Sequence, residues 1–253
     1  MLFGLMKRRG IVSFSFDDGT RDFLDNAFPV LREEHIPASL SIIVGLSFPS
    51  KREHARCFEG YRLLTAEETS LLVTEGIEIL SHGLTHQHAS TLSSEMLLRE
   101  VRDSKNRLTD YGIDAEGFAV PYGDVTDTLQ TIVRQHFTYM RTSDVGYNTR
   151  LNPDRYGLKV RTLTRATKPE NLAKWIDDAA AHDLWLILVF HRVRDDSPSD
   201  EYCTPVDTFA RMVEYVHERM ETRSIGDVLR SKRGIISSFR LPSCIPSWLS
   251  TRR

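Results

Sequence analysis

Ile11-Val12-Ser13-Phe14-Ser15-Phe16-Asp17-Asp18-Gly19 sets a strand-like apolar run directly before two carboxylates and a glycine. Three further segments repeat this design. Ile77 to Leu80 leads into His82-Gly83-Leu84-Thr85-His86, Phe118 to Val120 into Pro121-Tyr122-Gly123, and Leu184 to Phe190 into His191. A βα barrel builds its chemistry at the carboxyl ends of its strands, so residues distant in the chain converge there.

Helical patterns lie between these runs. Asp22 to His35 carries Phe23, Leu24, Ala27, Phe28, Val30 and Leu31 close to one helical face. Pro37 breaks that pattern before a second strand, Ser39 to Val44. Thr65-Ala66-Glu67-Glu68 resembles a capping box and opens a helix through Val73 that Gly76 stops. Ser93 or Ser94 starts a longer helix to Tyr111, closed by Gly112. Asp127 to His136, Pro169 to Ala181 and Pro205 to Met220 read as helices, and Tyr139 to Arg141 and Leu158 to Leu163 as weaker strands. The unbroken apolarity of Leu184 to Phe190 suits a parallel strand buried on both faces. Repeated β-then-α units predict a parallel sheet, open or closed into a barrel.

The 253 residues suffice for one barrel or two small domains, with 40% hydrophobic and 27% charged residues. A formal charge of −2 makes no electrostatic case for a nucleic-acid or anionic-membrane partner. No apolar run approaches the ~18 residues of a transmembrane segment. Met1 to Met6 is apolar and precedes Lys7-Arg8-Arg9, the reverse of a secretory signal, which favours a cytoplasmic protein. Cys57, Cys203 and Cys244 are odd in number and far apart, so free thiols are expected. From Arg230 onward the chain is basic and lacks acidic residues. This tail reads as a packed extension, a docking segment or disorder.

Asp17 and Asp18 on an extended segment would face opposite ways, one toward a metal and one toward a substrate. Taken alone, Asp-Asp-Gly also reads as a solvated turn. His82 and His86, four apart, share one side of a helical turn or compact loop, or form a surface pair. Two imidazoles and a carboxylate suit a borderline divalent ion, Zn²⁺ before Co²⁺, Ni²⁺ or Fe²⁺, with water in an open position. The spacing of His88 makes it an outer or exposed residue.

Together the clusters resemble the polysaccharide deacetylase family, also called the NodB-homology or carbohydrate esterase family 4 domain. The resemblance runs through Ser13 to Gly19, Glu78 to His86, Phe118 to Gly123 and Leu186 to Val193, covering residues 10 to 225. It implies a single distorted (β/α) barrel over residues 1–230, followed by a basic extension over 231–253. It implies Asp17 as general base and Asp18, His82 and His86 as metal ligands. It further implies the Tyr122 backbone N–H at the oxyanion, His191 as general acid, and substrate contacts from Pro121 and Tyr122.

Two departures stand out. Many members carry an arginine two residues before the proline of the third motif, where Ala119 stands here. Arg161, at the end of a candidate strand, is the candidate substitute and a further substrate contact. The fourth motif often has an Asp before a Trp, but Trp175 follows Lys174 and reads instead as a helix residue packing the barrel.

The resemblance implies a metal-dependent hydrolase that removes acetyl from an N-acetylated sugar in a polysaccharide, oligosaccharide or glycan precursor. A cytoplasmic site favours a soluble, nucleotide-linked or lipid-linked precursor. The alternatives are hydrolysis of another linear or cyclic amide on the same scaffold, and a non-catalytic glycan-binding barrel. Oligomeric state is not legible.

Overall fold

The computed structural model describes residues 10–48, 57–197 and 199–231. The expectations for the N-terminal run, Cys244 and the tail beyond residue 231 lie outside these residues. Seven parallel strands form the barrel: β1 (Ile11–Phe16), β2 (Ala38–Ile42), β3 (Glu78–Ser81), β4 (Gly117–Ala119), β5 (Tyr139–Val145), β6 (Leu158–Thr162) and β7 (Leu184–Phe190). Consecutive strands pair, and β7 returns to β1 with Ile11 opposite Trp185 and Phe16 opposite Phe190. That last pairing closes the barrel, as expected.

Around it run α1 (Phe28–Glu33), α2 (Ala66–Thr74), α3 (Ser94–Asp110), α4 (Asp127–His136), α5 (Pro169–Ala181), α6 (Val206–Arg219) and α7 (Ile225–Arg230). Among the described residues no helix is long and apolar enough to cross a membrane. The capping box forms at α2: Glu68 N–H donates to Thr65 Oγ1 at 3.3 Å and Thr65 N–H to Glu68 Oε2 at 3.0 Å. Ser93 caps α3 through Met96 N–H.

Two apolar layers follow from the strand period of two. Val12, Phe14 and Phe16 of β1 face Phe209 and Val213 of α6 in the layer between sheet and helices. Ile11, Leu80, Val160, Trp185, Ile187 and Val189 fill the barrel, and Ile225, Val228 and Leu229 of α7 join them. Half-buried Glu78 holds α7 there, accepting from Ser39 Oγ at 2.6 Å, Tyr139 Oη at 2.8 Å and Gly226 N–H at 3.0 Å. The amino end of the barrel is thereby plugged, and the carboxyl end is left for the site.

Three features depart from the sequence reading. The first helical stretch begins as a wide π turn over Phe23–Ala27. Pro29 has no N–H for an α-type bond at that point, which favours the looser turn. β5 continues through the polar residues Thr142 to Asp144 as far as Val145. Finally, Cys57–Phe58 and Tyr61–Arg62 form a short hairpin turning on Glu59 (φ +50°) and Gly60 (φ +85°). Cys57 and Cys203 are free thiols, exposed and buried respectively.

Candidate active site

The Asp17 N–H donates to Phe190 O at 2.9 Å, which makes Asp17 the last rung of the β1–β7 ladder. Asp18 and Gly19 then both turn left-handed, at φ +71° and +72°. Asp tolerates that region better than most residues. This turn, rather than the alternation of an extended strand, sends the two carboxylates apart. Asp17 meets Arg141 and His191, while Asp18 meets His82 and His86.

The two histidines sit on a compact loop after β3. Val44 N–H and Gly45 N–H donate to Gly83 O and Leu84 O at 3.0 and 2.7 Å, gripping this loop from the end of β2. A Cβ at Gly45 would lie 2.4 Å from Leu84 O, so the approach requires glycine. His82 Nδ1 lies 2.9 Å from Ala119 O. As donor to that carbonyl, it leaves the Nε2 lone pair for a metal. His82 Nε2 and His86 Nε2 are 3.1 Å apart, and Asp18 Oδ1 is 3.7 and 3.6 Å from them. Bonds of about 2.1 Å to one ion, opened by about 95–120°, separate ligand atoms by about 3.1–3.6 Å. The donor set therefore fits a divalent ion. Burial, more than any neighbouring charge, pushes both imidazole pKa values down and keeps the rings neutral, as ligation requires. It also pushes the Asp18 carboxyl up to about 7, assisted by the Asp17 charge.

Asp17 behaves oppositely. Burial opposes its ionisation, but the Arg141 guanidinium above all outweighs burial and holds the carboxyl well below its ordinary range. Arg141 Nη2 lies 2.5 Å from Asp17 Oδ1, and its side chain is 1% exposed. Arg141 stands in register beside Ala119 on the neighbouring strand. The guanidinium expected from Arg161 comes from Arg141. Arg161 lies instead over the rings of Tyr147 (5.0 Å) and Trp175 (4.8 Å), and it does not line the cleft. Trp175 is on α5 and packs against the core, as expected.

His191 Nε2 is 4.0 Å from Asp17 Oδ2. Burial brings its pKa down to about 4 against the pull of Asp17. Its Nδ1 is buried without a partner among the described residues, consistent with the missing fourth-motif carboxylate. Across the cleft, Tyr122 and Gly123 are both left-handed (φ +57° and +67°). Among the described residues the Tyr122 N–H meets no acceptor, while its ring lies half exposed on the cleft wall. Pro121 is buried beside Gly83 and does not line the cleft, contrary to expectation.

The cleft holds about 350 Å³, and its wall includes Phe58, Glu59, Ser143, Thr162, Thr164 and Tyr202. The sequence reading missed all of these. None carries a motif, and the hairpin that contributes Phe58 and Glu59 is only a few residues long.

The polysaccharide deacetylase profile matches residues 6–140. This chain belongs to the polysaccharide deacetylase family. No curated protein sequence matches it. A family 4 acetyl xylan esterase from Clostridium thermocellum, in complex with a cobalt ion, superposes with a TM-score of 0.60 at 17% identity, covering 88% of this chain and 92% of that one. The Xyl-CE4 domain of a multidomain xylanase from the hindgut metagenome of Trinervitermes trinervoides gives 0.59 at 16% identity, covering 89% and 92%. At these identities the likeness establishes the shared fold.

In this deacetylase-family barrel the histidine loop has a clamp that no motif announces. Glu100 of α3 accepts from Leu84 N–H and Thr85 N–H, both at 2.9 Å, and from Thr85 Oγ1 at 2.5 Å. Losing a group that orients a ligand costs about 10- to 100-fold in metal affinity. Glu100→Gln is therefore expected to raise the Zn²⁺ dissociation constant about 10-fold, read by competition with a chromophoric chelator. Wild-type affinity would leave the clamp without a role.

Proposed function

We propose that this chain is a metal-dependent deacetylase acting on an N-acetylated sugar in a polysaccharide, oligosaccharide or glycan precursor, with Zn²⁺ the preferred ion. One observation carries the reading: Asp18, His82 and His86 bring three donor atoms together beside a separate carboxylate, Asp17, that Arg141 keeps ionised. A glycan-binding barrel needs no such division between ion-holding and proton-accepting carboxylates.

The bound ion would supply Lewis acidity, polarising the acetyl carbonyl and acidifying the attacking water. Asp17 accepts the proton of that water as the C–O bond forms. The free Tyr122 N–H donates to the oxyanion that develops on the carbonyl oxygen. His191 Nε2, 4.0 Å from Asp17 Oδ2, takes the captured proton on. From there it reaches the leaving nitrogen as the C–N bond breaks. An amine departs only when protonated. The products are acetate and a free amino sugar. Phe58, Tyr122 and Tyr202 offer apolar ring surface to the sugar, and Ser143, Thr162 and Thr164 offer hydroxyls.

The test is acetate release from a panel of N-acetylated oligosaccharides and nucleotide sugars. It is run metal-stripped and again with Zn²⁺, Co²⁺ or Ni²⁺ restored. Release that depends on restored metal is expected. Metal binding without release from any of them would overturn the reading in favour of another amide.

A further inference from the structure

His88 shares the loop of His82 and His86 but stands outside the donor set. Its ring lies face to face with Tyr122, 3.9 Å between centroids and 9° between planes. His86 meets the same tyrosine edge-on at 4.4 Å. The side chain of Tyr122 is thus confined from two sides, although the residue is 52% exposed.

The backbone of Tyr122 calls for such confinement. Its φ of +57° and ψ of 4° lie in the left-handed region, which costs a non-glycine residue about 1–2 kcal/mol. An unrestrained Tyr122 would relax by turning the peptide that carries its N–H. His88 is itself anchored, with Nδ1 3.6 Å from Asp124 Oδ2. That same oxygen accepts from Ser90 N–H at 2.9 Å and Ser90 Oγ at 2.7 Å. On the other side, a Cβ at Gly123 would lie 2.5 Å from Ser143 Cβ, so the turn cannot slide toward β5. Two rings tie the turn to the histidine loop, those of His86 and His88, and His88 is the one that has no place in the donor set.

We propose that His88 is a positioning residue, whose ring, stacked on Tyr122, holds the Tyr122 N–H toward the cleft, where the oxyanion develops. This rests on the deacetylase reading of the cleft. Stacking needs an aromatic face rather than an imidazole, so phenylalanine should substitute and alanine should not.

The experiment uses the full chain loaded with Zn²⁺ and labelled with ¹⁵N-tyrosine, whose 8 tyrosines give few amide signals. Acetate, the product, is the probe. The Tyr122 amide signal is expected to shift on acetate addition in wild type and His88→Phe, and to lose most of that response in His88→Ala. Zn²⁺ content should match wild type in both variants. With a substrate from the panel, His88→Ala is expected to lower kcat about 10- to 100-fold, below the full loss of an oxyanion donor. KM should stay within about twofold, and His88→Phe should recover most of kcat.

A Tyr122 amide that ignores acetate in wild type, or responds equally in His88→Ala, would overturn the proposal. So would loss of Zn²⁺ from His88→Ala, or a rise in KM with kcat unchanged, which would make His88 a sugar contact. If wild type releases no acetate from the panel, the deacetylase reading fails, and the acetate titration still decides the role of His88.

Discussion

Asp17→Asn is expected to keep its Zn²⁺ and lose about 10²–10⁴-fold in acetate release, the range of a general base. The amide matches the carboxylate in size, and its oxygen can still accept from Arg141 Nη2, which lies 2.5 Å from the native oxygen. Geometry is thereby conserved while basicity is removed. Asp17 contributes no atom to the donor set, so metal content should be unaffected. His82→Ala is the mirror case. It removes one of three donors along with the Nδ1 contact to Ala119 O, and it should lose both ion and activity. The pair is read by metal content after desalting and by acetate release. Undiminished release from Asp17→Asn would remove the assigned base, and full metal occupancy in His82→Ala would refute the ligand assignment.

That the two carboxylates divide these tasks was visible as adjacent Asp residues after an apolar run, but the cause was not. Alternation along a strand predicts opposite faces, whereas the separation comes from the left-handed turn at Asp18 and Gly19. The barrel itself was legible because its strands are apolar and its helices carry capping and glycine signals. Asp127–His136, Pro169–Ala181 and Leu184–Phe190 match their expected bounds. What escaped was short or polar. The hairpin at Cys57–Arg62 and the plug α7 are too brief to show a period, and their positions are set by contacts with distant residues, Arg192 with Glu59 and Glu78 with Gly226.

Arg161 was a misreading that periodicity could have prevented. Leu158 and Val160 fill the barrel, so a period of two directs Lys159 and Arg161 outward, where Arg161 meets Trp175. Arg141 obeys the same rule on the inward side. Its partnership with Asp17 required knowing that β5 lies beside β4 with Arg141 opposite Ala119, a register no single sequence states.

Arg141→Met tests that partnership and should have the largest effect on stability. Arg141 and Asp17 are both buried, and removing one member of a buried pair leaves an uncompensated charge at a cost of about 3–5 kcal/mol. The loss should appear as a lower urea midpoint. The pH profile should change as well. In wild type the Arg141 guanidinium does most to outweigh burial and hold Asp17 low, so the base is ionised throughout the ordinary acid range. Without Arg141, burial acts against a weaker opposition and the Asp17 pKa rises. The acid limb of kcat/KM must then move to higher pH. Arg161→Ala, which removes a guanidinium stacked on Tyr147 and Trp175, should leave that limb in place.

Because Arg141→Met alone can fail by misfolding, the decisive variant moves the charge. Ala119 and Arg141 are register partners on adjacent strands, so their side chains leave the same face of the sheet. Ala119→Arg combined with Arg141→Ala would offer Asp17 a guanidinium from the position where many family members carry one. Recovery of the acid limb toward its wild-type position would mean that the charge beside Asp17 matters and the strand supplying it does not. A limb unmoved in Arg141→Met would instead mean that Arg141 does not set the ionisation of Asp17.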